Sequence, residues 1–267
     1  MDLKKILLFI LIMGSCTLSA QRIAIMGAMD EEITMLLDSL KNKKEIKKEG
    51  VTFYTGKLKG RKVVLLKAGI GKVNAAYSTA ILATNFKLKA IIFTGVAGGL
   101  DPQINPGDIV ISENLVQYDF GELKAGAFKT WPTKNLAQNN DRNPLYIPVD
   151  PYLLDLGKEV SEHIELRPFE GKPPKFFVGT IATGDTFLSD TTKAKELYSN
   201  FNALATEMEG AAVAQICSML KIPFIVIRSC SDNANTQAHT DYFKFVKVAA
   251  INSAHMVLEV LENYKRP

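Results

Sequence analysis

The chain predicts an α/β fold: a single three-layer α/β/α domain around a twisted, mixed central sheet. Three observations carry that expectation. Short runs rich in β-branched residues alternate with longer runs whose small and apolar residues recur at helical spacing. No internal repeat or low-complexity tract interrupts the alternation. About 247 of the 267 residues follow a leader-like start, enough for one large domain with a sizeable core.

That start is residues 1–20. Lys4 and Lys5 are basic, Ile6 to Met13 are all apolar, and Gly14 to Ala20 are small and mildly polar, the pattern of a secretory signal. The apolar run is too short to span a bilayer. The expected division is a signal peptide over 1–20 and one domain over 21–267. Cleavage after Ala20 is preferred to acylation at Cys16, because Met13 fits a lipoprotein signal poorly. The expected location is periplasmic or secreted, with a membrane-anchored lipoprotein through Cys16 as the alternative.

Removing residues 1–20 takes away two lysines and one aspartate and lowers the net charge from +4 to +3. So small a charge gives no case for nucleic-acid binding. The lysine-rich stretch Lys41 to Lys48 reads as a solvated turn. Cys217 and Cys230 read as small buried hydrophobes. His163, His239 and His255 are scattered and no Cys/His spacing suits zinc, so neither a metal nor another cofactor is expected.

Along the chain, Arg22 to Met26 reads as a strand and Asp30 to Leu40 as a helix. Val51 to Leu58 and Lys62 to Lys67 read as a hairpin turning at Lys59-Gly60-Arg61. Gly71 to Phe86 has helical spacing. Ala90 to Thr94 is a short buried strand expected to stop at Gly95-Val-Ala-Gly-Gly99. Asp108 to Ser112 and Leu115 to Tyr118 extend the sheet. Residues 121 to 150 are polar and proline-containing, and read as a long functional or inter-subunit loop. Leu153 to Ile164 is helical. Phe176 to Ala182, Ala203 to Glu207 and Pro223 to Arg228 are strands, and helices follow at Gly210 to Leu220 and Tyr242 to Tyr264.

Four stretches stand where strand-like runs give way to loops or helices: Gly27 to Glu32, Ala182 to Phe187, Thr206 to Gly210 and Arg228 to Asp232. In an α/β sheet such ends converge on the ligand crevice. Carboxylates at Glu32, Glu209 and Asp232, with Met208 and Phe187 beside them, suit cleavage of a sugar–base bond by an acid and a base. Each residue also has a plain structural reading. Glu32 could simply favour a helix N-terminus, and Asp232 could be a cap or turn residue. Glu207 and Glu209 flank Met208, so on a strand they share a face, and a structural role accounts for only one. Gly95 to Gly99 could cradle a phosphate or allow close packing. Phe187 and Tyr242 could stack on a base or fill the core.

Taken together, the chain resembles the 5′-methylthioadenosine/S-adenosylhomocysteine nucleosidases of the purine nucleoside phosphorylase superfamily. The resemblance runs from Arg22 to about Glu262, excluding much of 121–175. Its strongest points are Ile25 to Glu32, Lys67 to Val73, Thr94 to Leu100, Ala205 to Glu209 and Arg228 to Asp232. It implies a nucleoside phosphorylase-like fold, a homodimer, and hydrolysis that releases adenine and a 5′-thio-substituted ribose. Glu32 would activate water. Asp232, with Ser231 beside it, would protonate the purine and hold its edge. Glu209, in the Glu207-Met208-Glu209 motif, would bind the ribose hydroxyls, with Met208 against the sugar. Phe187 would stack on adenine and the backbone near Leu188 would read its polar edge. Met29 and Ile70 would line the 5′ end, with Tyr242 closing over it. Phe128 is the one match for a residue lent to the partner's pocket. Val96 stands where several relatives carry serine, Asp30 replaces a more usual glutamate, and 121–175 is longer than in compact relatives.

Alternative readings are a nucleosidase for another purine nucleoside (futalosine, 5′-deoxyadenosine, adenosine), a phosphorylase and a non-catalytic nucleoside-binding lipoprotein. Phosphate disfavours nearby carboxylates: two like charges about 4 Å apart repel by roughly 4 kcal/mol at an effective dielectric near 20. Binding alone does not require the water-activating Glu32.

Overall fold

The computed structural model describes residues 21–266. The leader, its cleavage point after Ala20 and Cys16 lie outside the described residues. Strand β1 (Arg22–Gly27) leads into helix α1 (Asp30–Asp38). An antiparallel meander follows: β2 (Lys41–Lys48), β3 (Val51–Leu58) and β4 (Arg61–Lys67). Next come α2 (Lys72–Asn85), the long strand β5 (Leu88–Gly99) and β6 (Ile109–Gln117). Short strands β7 (Gly121–Lys124) and β8 (Ala127–Thr130) pair as a hairpin. Then β9 (Lys134–Asn135) pairs with β10 (Asp141–Arg142), and β11 (Ile147–Pro148) returns to β6. The remainder is α3 (Pro151–Ser161), β12 (Phe176–Thr183), α4 (Thr191–Phe201), β13 (Ala203–Glu207), α5 (Gly210–Leu220), β14 (Phe224–Asp232) and α6 (Ala238–Asn263).

The mixed sheet runs β11-β6-β12-β13-β5-β1-β4-β3-β2, with β14 pairing to both β5 and β6. Those last pairings close a ring of β5, β14, β6, β12 and β13. Alternation along β1 separates two cores. Ala24 and Met26 face the side covered by α2 and α5, packing with Phe93, Leu82 and Val213. Ile23 and Ile25 face the side covered by α1, α3 and α6, packing with Leu36, Leu156 and Val257. Each of the larger side chains contributes roughly 1.5–3 kcal/mol on full burial, so the two cores hold both helical layers to the sheet.

Five expectations need correction. Lys41 to Lys48 is a strand, exposed except for partly covered Ile46, and stands at the sheet edge, where lysines discourage pairing with another chain. Strand β5 does not stop at Gly95: it continues to Gly99, because Gly98 and Gly99 pair with β13 after β1 has ended. Residues 121–150 contain two small strand pairs rather than one loop. Helix α4 was not anticipated, although Asp190 caps it by accepting from Lys193 N, and Asn202 ends it in the left-handed region. Helix α6 also starts at Ala238, one turn before Tyr242.

Candidate active site

The carboxyl ends of β1, β5, β13 and β14 meet at a cavity of about 380 Å³, lined by Glu32, Glu209, Asp232 and most of the other residues expected there. Glu32 lies in the first turn of α1 and is buried. Its Oε2 accepts from Ala28 N at 2.5 Å and Met29 N at 3.0 Å, and its Oε1 from Val96 N at 3.0 Å. The plain reading holds, since the carboxylate fixes its own helix start, and the residue also lines the cavity. Burial raises its pKa, opposed by Arg228 and by those three N–H groups. Val96 therefore meets Glu32 through its backbone, and its side chain lines the cavity as an apolar wall.

Asp232 ends β14. Its Oδ1 accepts from Ala234 N and its Oδ2 from Ser231 Oγ, each at 2.8 Å. Burial pushes its pKa up to about 6 against the pull of both hydrogen bonds. The turn reading is correct for one oxygen, yet the residue still lines the cavity.

The glycines of β5 explain how the acids fit. A Cβ on Gly95 would lie 2.5 Å from Glu32 Oε1 and would overlap Arg228 Nη1. A Cβ on Gly98 would lie 2.9 Å from Asp232 Oδ1. Gly95 N bonds to Ser253 Oγ and Val96 N to Glu32, so these two backbone donors are engaged by the protein. Close packing, rather than a phosphate cradle, is the reading this geometry supports.

Glu207 and Glu209 divide their work. Glu207 accepts from Thr183 Oγ1, from Glu209 N at 3.1 Å, from Gly210 N at 2.7 Å and from Arg228 Nη2 at 2.5 Å. Glu209 has fewer partners: Gly71 N at 2.8 Å, and Arg228 Nη2 at 3.7 Å. Burial raises the pKa of Glu209, and repulsion from Glu207 raises it further, opposed by Arg228.

Arg228 carried no assigned role in the sequence reading. It is fully buried at the centre of β14, its guanidinium stacked 4.3 Å from the Phe93 ring centre, and neither Nε nor Nη1 has a hydrogen-bond partner. A cation directly after the apolar run Phe224 to Ile227, inside the same strand, was the available signal, because buried arginines are rare unless paired.

At the outer end, Tyr242 Oη lies 3.1 Å from Met29 Sδ, and the Tyr242 and Phe187 rings meet edge to face at 5.6 Å. Phe187 and Ile70 stay 42% and 53% exposed, so Phe187 wets its face at the cavity instead of filling the core. Leu188, Met208 and Ser231 also line the cavity, together with His239 and Phe243, which the sequence reading missed. Phe128 lies elsewhere, half-exposed on β8 beside a small recess with Tyr118 and Leu197.

Both sides of the cavity are tied together behind it. Lys72 Nζ donates to Asp119 Oδ1 at 2.6 Å, Asp119 Oδ2 accepts from Asp185 N at 2.9 Å, and Asp185 Oδ1 accepts from Lys72 N at 2.8 Å. The loop carrying Phe187 is thereby joined to the start of α2, where Gly71 holds Glu209.

Comparison with known proteins shows the family. The family model described as "Phosphorylase superfamily" matches residues 22–262. A 5′-methylthioadenosine/S-adenosylhomocysteine nucleosidase of Bacillus subtilis (strain 168) is 38% identical over 243 residues, covering 90% of this chain and 98% of that protein. An aminodeoxyfutalosine nucleosidase of Campylobacter jejuni subsp. jejuni is 37% identical over 241 residues, covering 90% and 98%. The crystal structure of the Neisseria meningitidis 5′-methylthioadenosine/S-adenosylhomocysteine nucleosidase with methylthio-immucillin-A superposes with a TM-score of 0.79 at 31% identity, covering 92% of this chain and all of that one. The chain belongs to the phosphorylase superfamily, within its family of 5′-methylthioadenosine/S-adenosylhomocysteine nucleosidases.

Proposed function

We propose that this chain hydrolyses the N-glycosidic bond of 5′-methylthioadenosine and/or S-adenosylhomocysteine, releasing adenine and the 5′-thio-substituted ribose. The observation that carries this is the pairing in one cavity of Glu32, an acceptor held by three N–H groups, with Asp232, whose pKa of about 6 lets it carry a proton near neutrality. Glu32 takes the proton of a water as it attacks the sugar, and Asp232 gives a proton to a purine ring nitrogen as the bond breaks. Glu209 holds the ribose hydroxyls with Met208 against the sugar, Phe187 stacks on adenine, and Leu188 and Ser231 flank its edge. Met29, Ile70 and Tyr242 receive the 5′ group. Glu207, engaged by protein partners, supports Arg228 and Glu209.

Hydrolysis is favoured over phosphorolysis because the carboxylates of Glu32, Glu209 and Asp232 line the cavity, while the nearby cation, Arg228, is paired with Glu207 and lies outside the lining. A second reading, a nucleoside with a bulkier 5′ group such as aminodeoxyfutalosine, is favoured by the aromatic mouth of His239 and Phe243, whose rings meet at 4.8 Å. We also propose a homodimer in which Phe128 closes the partner's cavity, and export directed by residues 1–20. Exposed apolar Phe128 and Leu123 on the β7–β8 hairpin support the first, and the leader pattern supports the second.

The test is to incubate the protein with methylthioadenosine with and without phosphate, then with S-adenosylhomocysteine and aminodeoxyfutalosine. Free methylthioribose under both conditions supports the proposal. A sugar 1-phosphate formed only with phosphate would replace it by phosphorolysis.

A further inference from the structure

The end of the sheet opposite the cavity carries a row of cations. Lys41 of β2 lies directly opposite Lys57 of β3, and Lys57 directly opposite Lys62 of β4, so the three share one face. Ile23 of β1 lies opposite Val63, which places Arg22 next in the row beside Lys62. Arg22 in turn lies opposite Leu88 of β5, flanked by Lys87 and Lys89. Among the described residues none of these six cations forms a salt bridge, whereas nearby Lys59 is engaged by Glu259 and Glu262 of α6.

Edge protection accounts for the lysines of β2. It does not account for Lys57 and Lys62, which stand on interior strands. Like charges directly opposite one another destabilise a sheet, and here two consecutive pairings make that arrangement. A polyanionic surface against the row would relieve the repulsion. The position of the chain start favours one such surface. Gln21 precedes Arg22 in the middle of the row, so the chain enters the domain at this face, and the sequence before it, with Lys4, Lys5 and the apolar run Ile6 to Met13, has the pattern of a leader that delivers a chain at a bilayer. The cavity opens at the other ends of the same strands and stays accessible to a soluble nucleoside.

We propose that this basic row is a docking surface for a bilayer rich in anionic lipid headgroups. Juxtamembrane lysines each strengthen such attraction about fivefold, and the effect is screened by salt. The proposal does not depend on which nucleoside is cleaved.

The test is co-sedimentation of the full chain with vesicles of phosphatidylcholine alone or with about one-third phosphatidylglycerol added, at low and high salt. The full chain should prefer the anionic vesicles at low salt. Combining Lys41→Gln, Lys57→Gln and Lys62→Gln should weaken that binding about 100-fold, at about fivefold per lysine, while methylthioadenosine hydrolysis stays at the parent level. Lys57→Gln alone should lose about fivefold and gives the same reading should the triple variant fold poorly. Combining Lys158→Gln, Lys172→Gln and Lys195→Gln makes the same charge change elsewhere and should leave binding intact. Equal binding to both vesicle types, an equal loss in the control, or no loss in Lys57→Gln and the triple variant would overturn the proposal. Tighter binding to duplex DNA with the same lysine dependence would overturn it too.

Discussion

Arg228 Nη2 stands 2.5 Å from Glu207 Oε2, an ion pair in which both side chains are withdrawn from water. Two residues further on, Glu209 shares the same cation at 3.7 Å. The pair of acids is thus split into one that holds the arginine and one left with fewer protein partners at the cavity.

Glu207→Gln should therefore be a stability variant. Removing one partner of a buried pair costs about 3–5 kcal/mol because the other charge is stranded. In a domain of this size the midpoint should fall by on the order of 10 °C. Glu209→Gln should leave the midpoint at neutral pH no lower than the parent's, because its raised pKa costs the fold stability there, and should lower kcat/KM. Differential scanning calorimetry with steady-state kinetics separates them, and a Glu207→Gln variant with parental stability and raised KM would make Glu207 a substrate ligand.

Glu32→Gln should cut turnover about 10²–10⁴-fold while nucleoside binding stays largely intact, since an amide cannot take the proton of water. Single-turnover kinetics with calorimetric binding of a non-hydrolysed analogue provides the check. Parental turnover would leave Glu32 as a helix-start acid only.

Asp232→Asn should respond to the leaving group and to pH. A nucleoside with an already good leaving base should be rescued far more in this variant than in Glu32→Gln. In the parent, kcat/KM should decline above about pH 6 as Asp232 gives up its proton. Stability has a defined sign as well. The folded pKa is raised, to about 6 from the ordinary 3.8, so the folded state holds this proton longer than the unfolded one. That contribution is complete below about pH 4 and lost as pH rises through about 6. Asp232→Asn should then be more stable than the parent at pH 8, by up to about 3 kcal/mol, and show no such gain at pH 4. Melting curves at both pH values decide it.

Asp185→Asn and Asp119→Asn should raise KM for methylthioadenosine several-fold with a smaller effect on kcat, by loosening the loop that presents Phe187 against the start of α2. Since neither residue lines the cavity, the split between KM and kcat is the informative readout. An equal loss in kcat at unchanged KM would contradict a positioning role.

Much of the fold was legible because buried strands such as Ile23 to Met26 and helices such as Gly210 to Leu220 carry apolar periods of their own. The strand over Lys41 to Lys48 was hidden because an edge exposed on both faces has no alternation to read. Gly95 and Gly98 read as chain breaks, since a glycine run looks alike in a turn and in a strand that must admit other side chains. The three acids at the cavity were visible from strand-to-loop junctions, but the division between Glu207 and Glu209 was not. It depends on Thr183 and Arg228, distant in sequence, coming to the same carboxylate.

Strand β5 also acts as a gauge. Gly95 backs the candidate base and Gly98 the candidate acid, and three residues of extended chain span roughly 10 Å. The two acids ride on α1 and β14, so the two glycines fix where along β5 each carboxylate can come close to the backbone. One residue inserted between those glycines would put a side chain against one of the two carboxylates, whereas the same insertion in the β7–β8 hairpin would leave both contacts untouched.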